Sequence, residues 1–198
     1  MEKHREKNKM VHMVLLDLEK AFNRVPHKLI WRSLRTHGVP EAYVKWTQLL
    51  YRNVTSEVRC SAGTSPAFPI TVGVHQGSAL SPLLFTLCMD TATADLQSPH
   101  PWSLLYADDM CLSETENCLA LQTQTQAWKD RLSENGMRLN IKKTEYLECG
   151  PQTNSTITID GEPLTKVAQF KYLGSLVTTD CDQTPDSVSK QHGGSGIR

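Results

Sequence analysis

Two adjacent aspartates, Asp108 and Asp109, stand between two short apolar runs, and this pattern limits the fold more than any other feature. Apolar runs on both sides of a polar pair predict a β-hairpin over about Ser103 to Ser113, with both carboxylates at its tip. Two carboxylates held together repel each other unless a cation neutralises them. The pattern therefore indicates a divalent-metal site and Mg²⁺ chemistry on phosphates. The alternative is a plain turn, because Asp caps its own backbone.

A third carboxylate follows another apolar run. Met10 to Leu18 is almost continuously apolar, which predicts a strand buried on both faces with Asp17 near its carboxyl end. If this strand lies beside the hairpin, three carboxylates converge, enough to hold two Mg²⁺ ions about 4 Å apart for in-line phosphoryl displacement. The other reading of Asp17 is a helix N-cap, because Glu19 to Phe22 has a helical pattern.

Predicted helices and strands alternate along the rest of the chain. Helices are expected over residues 26–37, 40–52, 118–134 and from Ser81 onward, and strands over 55–60, 68–74, 138–141, 145–149, 156–159 and 169–173. The buried stripe of the second helix is predicted to contain Tyr43, Trp46 and Leu50, and Leu83 is placed on the buried face of the helix that begins at Ser81. This interleaving favours an α+β fold, an antiparallel sheet with helices packed on one face.

Composition narrows the setting without naming a function. A length of 198 residues fits one domain, and 39% hydrophobic and 21% charged residues are ordinary values for a globular protein. The net charge of zero gives no global basic signature for nucleic acid, although local patches matter more than totals. The six cysteines form no Cys-x-x-Cys pair, so a zinc site is not expected. With no signal peptide and no apolar stretch that spans a bilayer, we expect an intracellular protein without a membrane partner.

Five segments carry a more specific pattern. In chain order they are His12–Pro26, Gly73–Phe85, Tyr106–Asp109, Gly136–Glu145 and Phe170–Ser175. In sequence and spacing they are similar to motifs A, B, C and D, and to the strand after motif D, of the reverse transcriptase domain of non-LTR (LINE-type) retrotransposons. The resemblance is greatest to the RTE-type branch. It covers residues 1 to 180, and five motifs in order are far more specific than any one alone.

The resemblance implies a polymerase palm and assigns roles in a metal site. Asp17 and Asp108 would ligate two Mg²⁺ ions, or Mn²⁺ in their place, with Asp109 assisting. Lys143 would approach the triphosphate to neutralise charge or to donate a proton. The alternative for Lys143 is a solvated surface side chain, which is the usual fate of lysine.

The resemblance also implies a nucleotide-binding group. Phe22 would lie under the sugar of the incoming nucleotide as a gate against a 2′-OH, and Gln76 and Gly77 would lie against nucleotide and template. From the residues alone, Phe22 would be a core aromatic and Gly77 a simple turn before a helix. His75 and Tyr106 are interpreted as structural residues.

The implied reaction is attack of a primer 3′-OH on the α-phosphate of a dNTP, directed by an RNA template, so the expected partners are RNA template, DNA primer and dNTP. Asn23 departs from the family, which usually has Asp there. The family's fingers and thumb have no counterpart in the given residues, so we expect a palm fragment followed by a disordered tail at residues 181–198. Two other hypotheses stay open, an inactive nucleic-acid-binding remnant and a product without a folded role. The sequence predicts no oligomeric state.

Overall fold

A five-stranded sheet is the largest ordered element of this computed structural model, which describes residues 10–97, 102–115, 117–180 and 183–185. The helices are α1 (Ala21–Arg24), α2 (His27–Thr36), α3 (Glu41–Leu50), α4 (Ser81–Thr93) and α5 (Cys118–Glu134). The longer strands of this sheet are β1 (Val11–Leu16), β6 (Trp102–Tyr106), β7 (Asp109–Thr115) and β8 (Glu145–Cys149). The remaining strands are β2 (Thr55–Ser56), β3 (Arg59–Cys60), β4 (Gly63–Thr64), β5 (Phe68–Pro69), β9 (Thr158–Ile159), β10 (Glu162–Pro163), β11 (Thr165–Val167), β12 (Gln169–Tyr172), β13 (Ser175–Thr178) and β14 (Gln183–Pro185).

The chain divides into two compact units. The sheet unit comprises Met1–Leu18, Asp95–Asp130 and Leu139–Arg198, and the helical unit comprises Glu19–Ala94 and Arg131–Arg138. The domain predicted over residues 1–180 therefore contains parts of both units.

In the sheet unit, β1 is the central strand of the order β11-β8-β1-β7-β6. It runs antiparallel to both β7 and β8, whereas β11 joins β8 in parallel. Val11 and Met13 belong to a buried apolar cluster on one face, and Val14 and Leu16, which alternate with them, are buried on the other. The prediction of a strand buried on both faces is confirmed.

Three further predictions are confirmed. Strands β6 and β7 form the antiparallel hairpin around the two aspartates, and β8 has the predicted bounds. Helix α5 also has the predicted bounds, and Gly136 with φ of +78° follows its end. The predicted stripe of α5 is buried at Leu121, Thr125, Trp128 and Leu132.

In the helical unit, the buried face of α3 was predicted wrongly. The stripe expected to be buried is exposed at Tyr43, Trp46 and Leu50. The buried stripe lies one residue further on, at Val44, Thr47 and Tyr51. Apolar residues occur around most of this helix, so two stripes fit the helical period equally and only tertiary packing distinguishes them.

Other predictions were wrong in detail. Leu83 is exposed, while the neighbouring Leu84 and Phe85 are buried. The helix α4 has Leu80 rather than Ser81 as its N-cap. The strands expected at 55–60 and 68–74 are interrupted, because β2 pairs with β5 while β3 turns back onto β4.

The strand expected at 138–141 is a single bridge between Leu139 and Leu18. It goes no further because the chain turns after Asn140, whose carbonyl accepts from the N–H groups of Lys143 and Thr144. Of the tail expected to be disordered, 181–182 and 186–198 lie outside the described residues, and Gln183–Pro185 pairs with β13. The mixed content and antiparallel sheet agree with the predicted α+β class. Within the described part of the chain, no helix combines the length and apolar character needed to cross a membrane.

Candidate active site

Three carboxylates meet at one end of the sheet. Asp17 directly follows β1, and Asp109 is the first residue of β7. The register of these antiparallel strands pairs Leu16 with Met110, so the next pair of positions is Asp17 and Asp109. Asp108 lies in the turn of the hairpin, one residue away. The strand order that the metal hypothesis required is therefore present.

The electrostatics of this group fit a cation site. Burial raises the pKa of Asp109, and the negative charges of Asp108 and Asp17 raise it further. This is the behaviour of neighbouring acids that no cation neutralises. Asp108 and Asp109 are exposed and Asp17 is half-buried, so their oxygens remain accessible. Carboxylate oxygens are also the donors that Mg²⁺ prefers.

The carboxylates do not form a finished coordination set. Among the described residues, no group of three or more His, Cys, Asp or Glu side chains is arranged to hold a metal ion. Asp17, Asp108 and Asp109 thus interact through their charges without enclosing one point. The donor chemistry fits a divalent cation, while binding would require the side chains to draw together.

The turn that carries Asp108 has an unusual backbone. The hairpin pairs Tyr106 with Asp109, which leaves only Ala107 and Asp108 in the loop. Ala107 has φ of +53°, a left-handed conformation that costs a residue with a Cβ about 1–2 kcal/mol. Such strain is common at functional sites, where the surrounding structure enforces it. Tyr106 is exposed at the start of this turn.

The loop after Leu139 holds the backbone of Asp17. The N–H of Asn140 donates to the Asp17 carbonyl at 2.8 Å, and the Asp17 N–H donates to Thr144 Oγ1 at 3.4 Å. Thr144 is fully buried, and its hydroxyl also donates to the Asn140 carbonyl. Lys143 is exposed within this loop, so the structure fixes its backbone beside Asp17 without giving its side chain a role.

Sequence reasoning missed Thr144 and Tyr172. The Tyr172 hydroxyl donates to the Leu104 carbonyl at 3.3 Å. Burial, with smaller contributions from Cys111 and Asp109, raises the pKa of Tyr172 to about 12, so the phenol stays a hydrogen-bond donor. Thr144 follows Lys143 in the chain, which is a local signal. Nothing local relates Tyr172 to the hairpin, because β12 is far from it in sequence.

A second group of predicted residues meets in the helical unit. Phe22, Gln76 and Gly77 line a cavity of about 500 Å³. Phe22 is half-buried and stacks on Phe85 with ring centroids 4.6 Å apart. Phe22 therefore packs against the core with one face and borders the cavity, so both readings of this residue agree with its position.

Asn23 has a defined role in this group. Its Oδ1 accepts a hydrogen bond of 2.8 Å from the Gln76 amide. A carboxylate at this position offers the same acceptor, so the departure from the family pattern preserves the contact. The backbone comes close here as well, because a Cβ on Gly73 would lie 2.7 Å from the Asn23 carbonyl oxygen.

His75 makes a ring contact in the same unit. Its ring stacks on Tyr51 with centroids 4.2 Å apart. Its Nε2 is buried and has no hydrogen-bond partner within the part of the chain that the structure describes. Gly77, two residues later, has φ of +81° with open space where a Cβ would stand.

Comparison with known proteins identifies the family. The profile described as "Reverse transcriptase (RNA-dependent DNA polymerase)" matches residues 1–177. The Pol polyprotein of the type-1 retrotransposable element R2 of Popillia japonica is 29% identical over 193 residues, which cover 86% of this chain and 31% of that protein. The RNA-directed DNA polymerase from the mobile element jockey of Drosophila melanogaster is 27% identical over 172 residues, which cover 80% of this chain and 19% of that protein. The chain spans less than a third of these relatives.

Solved structures share the fold. Telomerase from Candida tropicalis superposes with a TM-score of 0.68 at 12% identity, covering 93% of this chain and 35% of that one. Telomerase from Candida albicans, in complex with a fragment of telomeric RNA, gives a TM-score of 0.68 at 13% identity, covering 94% and 33%. These likenesses confirm the palm-like α+β fold. With the profile matching almost the whole length, the chain belongs to the reverse transcriptase (RNA-dependent DNA polymerase) family.

Proposed function

We propose that this chain is the palm of a retrotransposon RNA-directed DNA polymerase, which transfers a nucleotide from a dNTP to a primer 3′-OH on an RNA template. The observation that supports it most is the strand register that sets Asp17 beside Asp109, with Asp108 in the adjoining turn. Relatives described as RNA-directed DNA polymerases support the same reaction. Placement within the RTE-type branch stays a prediction, since the relatives described above are R2 and jockey elements.

In this proposal, Asp17 and Asp108 hold two divalent ions and Asp109 assists. When bound, Mg²⁺ or Mn²⁺ would lower the pKa of the attacking hydroxyl and stabilise charge on the triphosphate. The loop from Asn140 to Thr144 keeps the Asp17 backbone in place through hydrogen bonds at both of its ends. That anchoring limits how far Asp17 can move when the carboxylates draw together.

The remaining predicted residues bind the incoming nucleotide. Lys143, exposed on the loop beside Asp17, neutralises the triphosphate or donates a proton to the leaving group. Phe22 presents a flat apolar surface at a cavity of about 500 Å³ and restricts what fits against the sugar. Asn23 holds the Gln76 amide, and Gly77 lets the backbone approach nucleotide and template.

Primer extension tests the proposal. Residues 10–180 would replace the matching segment of an R2-type polymerase, so that the rest of the enzyme comes from the relative. We expect Mg²⁺-dependent extension of a DNA primer on RNA, and a loss of at least about a thousandfold with Asp108→Asn, since electrostatic preorganisation supplies effects of this size. An Asp180→Asn control should extend normally. No extension by a folded chimera beside an active parent would refute the proposal.

A second candidate is a nucleic-acid-binding remnant without catalysis. The observation in its favour is that no described group of three acidic, His or Cys side chains is arranged for a metal ion. It predicts salt-sensitive binding that Asp108→Ala leaves unchanged with and without Mg²⁺. Binding that depends on both Asp108 and Mg²⁺ would argue for the catalytic site instead.

A further inference from the structure

The two compact units carry opposite charges although the chain is neutral. The helical unit contains ten Lys and Arg against five Asp and Glu, and the sheet unit contains eleven against sixteen. A polyanion would therefore be attracted to the helical unit, because local surface potential decides association more than net charge does.

A cavity between α2 and α3 lies in this basic unit. It has a volume of about 580 Å³ and is lined by His27, Trp31, Lys45, Gln48, Leu49, Tyr51 and Arg52. None of these described lining residues is acidic. We call it the α2–α3 cavity. It is separate in its lining from the cavity around Phe22.

One wall of the α2–α3 cavity is aromatic. Trp31 and Tyr51 meet edge to face with ring centroids 5.6 Å apart, and His27 contacts Tyr51 at 4.9 Å. Burial lowers the pKa of His27, although its bond to the Gly73 carbonyl opposes this, so the imidazole is neutral at pH 7. The wall is therefore a neutral aromatic surface of the kind on which bases stack.

The rest of the lining is mainly polar and basic. Lys45, Gln48 and Arg52 are spaced by three and four residues, so they follow one stripe along α3 and its end. Both cations are exposed, and Leu49 beside them is 58% exposed. Cations and aromatic rings in the lining of one cavity match the two parts of a nucleotide, its phosphate and its base.

We propose that the α2–α3 cavity binds a nucleotide of single-stranded nucleic acid, with the base against Trp31 and the phosphates at Lys45 and Arg52. The inference rests on the proposed function only in taking nucleic acid as the polymer, and it assigns a contact apart from the metal site. An apolar protein partner would suit the exposed Trp46 and Leu49. It would not explain why the cavity lining has two cations and no acidic residue.

The position of the cavity suggests which part of the strand it holds. Tyr51 lines the α2–α3 cavity, and its ring stacks on His75, which lines the cavity around Phe22 and Gln76. The two cavities thus share a wall of two stacked rings. A strand bound at Trp31 would run next to the proposed nucleotide site.

The test measures binding without catalysis. A fluorescein-labelled single-stranded RNA of twelve nucleotides is titrated with the full chain in EDTA, and anisotropy is followed over a salt series. We expect Lys45→Gln with Arg52→Gln to weaken binding about tenfold and to reduce the salt slope by about 1.4, because each phosphate contact on a single strand contributes about 0.7. Lys28→Gln with Arg59→Gln removes the same charge elsewhere in the helical unit and should leave affinity within about twofold.

A second comparison isolates stacking. Trp31→Leu should weaken RNA binding about tenfold, since stacking on an aromatic is sequence-tolerant but substantial, and should not change binding of an abasic phosphodiester of equal length. Trp46→Leu, at an exposed position of α3 outside the cavity lining, is the control. The proposal would be overturned if the two charge variants lost affinity equally. It would also be overturned if the unmodified chain bound the abasic polymer as tightly as RNA, or if an acidic peptide competed as well as RNA does. Asp108→Asn should bind normally here, so failure of the polymerase proposal and failure of this site are distinguishable.

Discussion

The sheet unit and the helical unit place their polar residues by different means. In the sheet unit, strand register sets titratable residues side by side, at Asp17 and Asp109 and, further along the same strands, at His12 and Glu114. In the helical unit, cations and aromatic rings line the same cavity, as Lys45 and Arg52 do with Trp31. The net charge of zero averages these two patterns, so it conceals an acidic region suited to cations and a basic region suited to phosphates.

The sheet unit also buries charge. His12 on β1 lies in register with Glu114 on β7 and with Glu148 on β8, and all three are buried. Glu148 is fully buried, accepts bonds from the backbone N–H and hydroxyl of Thr153, and pairs with Lys166. The helical unit buries hydroxyls instead, and those of Thr47, Ser81 and Thr93 donate to backbone carbonyls.

The largest expected effect on stability follows from removing a buried charge in the sheet unit. Glu148→Ala leaves the Thr153 donors without their acceptor and Lys166 with only the Thr153 carbonyl, and we expect a loss of about 3 kcal/mol in the free energy of unfolding. Urea denaturation followed by circular dichroism measures it. Glu162→Ala on the exposed strand β10 is the matched control. A loss under about 1 kcal/mol for Glu148→Ala would show that the buried pair does not stabilise this unit.

The next effect concerns the helical unit and compares two glycines. Both Gly73 and Gly77 have left-handed φ, but a Cβ on Gly73 would strike the Asn23 carbonyl while one on Gly77 meets open space. We expect Gly77→Ala to cost about 1 kcal/mol for the backbone alone, and Gly73→Ala about 1 kcal/mol more for the contact. Thermal unfolding of both variants checks this. Equal losses would mean that the close approach is not required.

The pH dependence of stability tests the buried residues His12, Glu114 and Glu148 of the sheet unit. Burial lowers the pKa of His12, and Lys166 lowers it further, although Glu148 and Glu114 oppose the shift. The Tyr146 hydroxyl forms a hydrogen bond of 2.7 Å with the Nδ1 of His12. The unfolded chain then binds more protons than the folded chain near the ordinary histidine pKa of about 6.5, so stability falls as pH drops through that value.

Glu148 predicts a second loss of stability at acidic pH. Burial tends to raise its pKa, but bonds from Lys166 and Thr153 outweigh burial and lower it, so its stabilisation disappears as pH falls below the ordinary glutamate range. The melting temperature should therefore drop in two steps, and His12→Asn should weaken the first. His27 in the helical unit also has a lowered pKa, so His27→Asn should weaken the first step as well. His37 has the opposite effect on stability, because the Ser33 carbonyl and Asp90 raise its pKa. An unchanged first step in His12→Asn would contradict this assignment.

The smallest effect returns to the candidate metal site. Because the pKa of Asp109 is raised, its ionisation destabilises the folded state at neutral pH. Asp109→Asn should stabilise the metal-free chain slightly, by less than about 0.5 kcal/mol since the group is exposed. The gain should vanish at acidic pH, where Asp109 is protonated. A destabilised Asp109→Asn at neutral pH would contradict the repulsion among the three acids.

The sequence predicted the elements whose patterns were unambiguous. The bounds of α5 followed from a single apolar stripe, and the hairpin followed from two apolar runs around Asp108 and Asp109. The buried face of α3 did not follow, because Tyr43 and Val44 begin two stripes of similar character and packing against other elements decides between them. The strand expected near Asn140 is reduced to one bridge because the chain turns there, with the N–H groups of Lys143 and Thr144 donating to the Asn140 carbonyl.

The sequence selected the residues of the candidate site, whereas their arrangement depended on which strands pair. Motif spacing selected Asp17, Asp108 and Phe22, while the placement of Asp17 beside Asp109 required the register of β1 with β7. Thr144 and Tyr172 were missed because one acts through a backbone contact and the other reaches the hairpin from β12. The α2–α3 cavity was missed for the same reason as the face of α3, since its lining combines residues from two helices.

Calorimetric titration with Mg²⁺ tests the central claim most directly, which is that strand register assembles Asp17, Asp108 and Asp109 into a cation site. The wild-type chain, Asp17→Asn and the exposed control Asp180→Asn would be compared at equal pH and ionic strength. We predict that Asp17→Asn binds Mg²⁺ at least about tenfold more weakly than the wild type, since it removes one of three charged donors, and that Asp180→Asn is unchanged. Equal Mg²⁺ affinity in the wild type and Asp17→Asn would contradict the account.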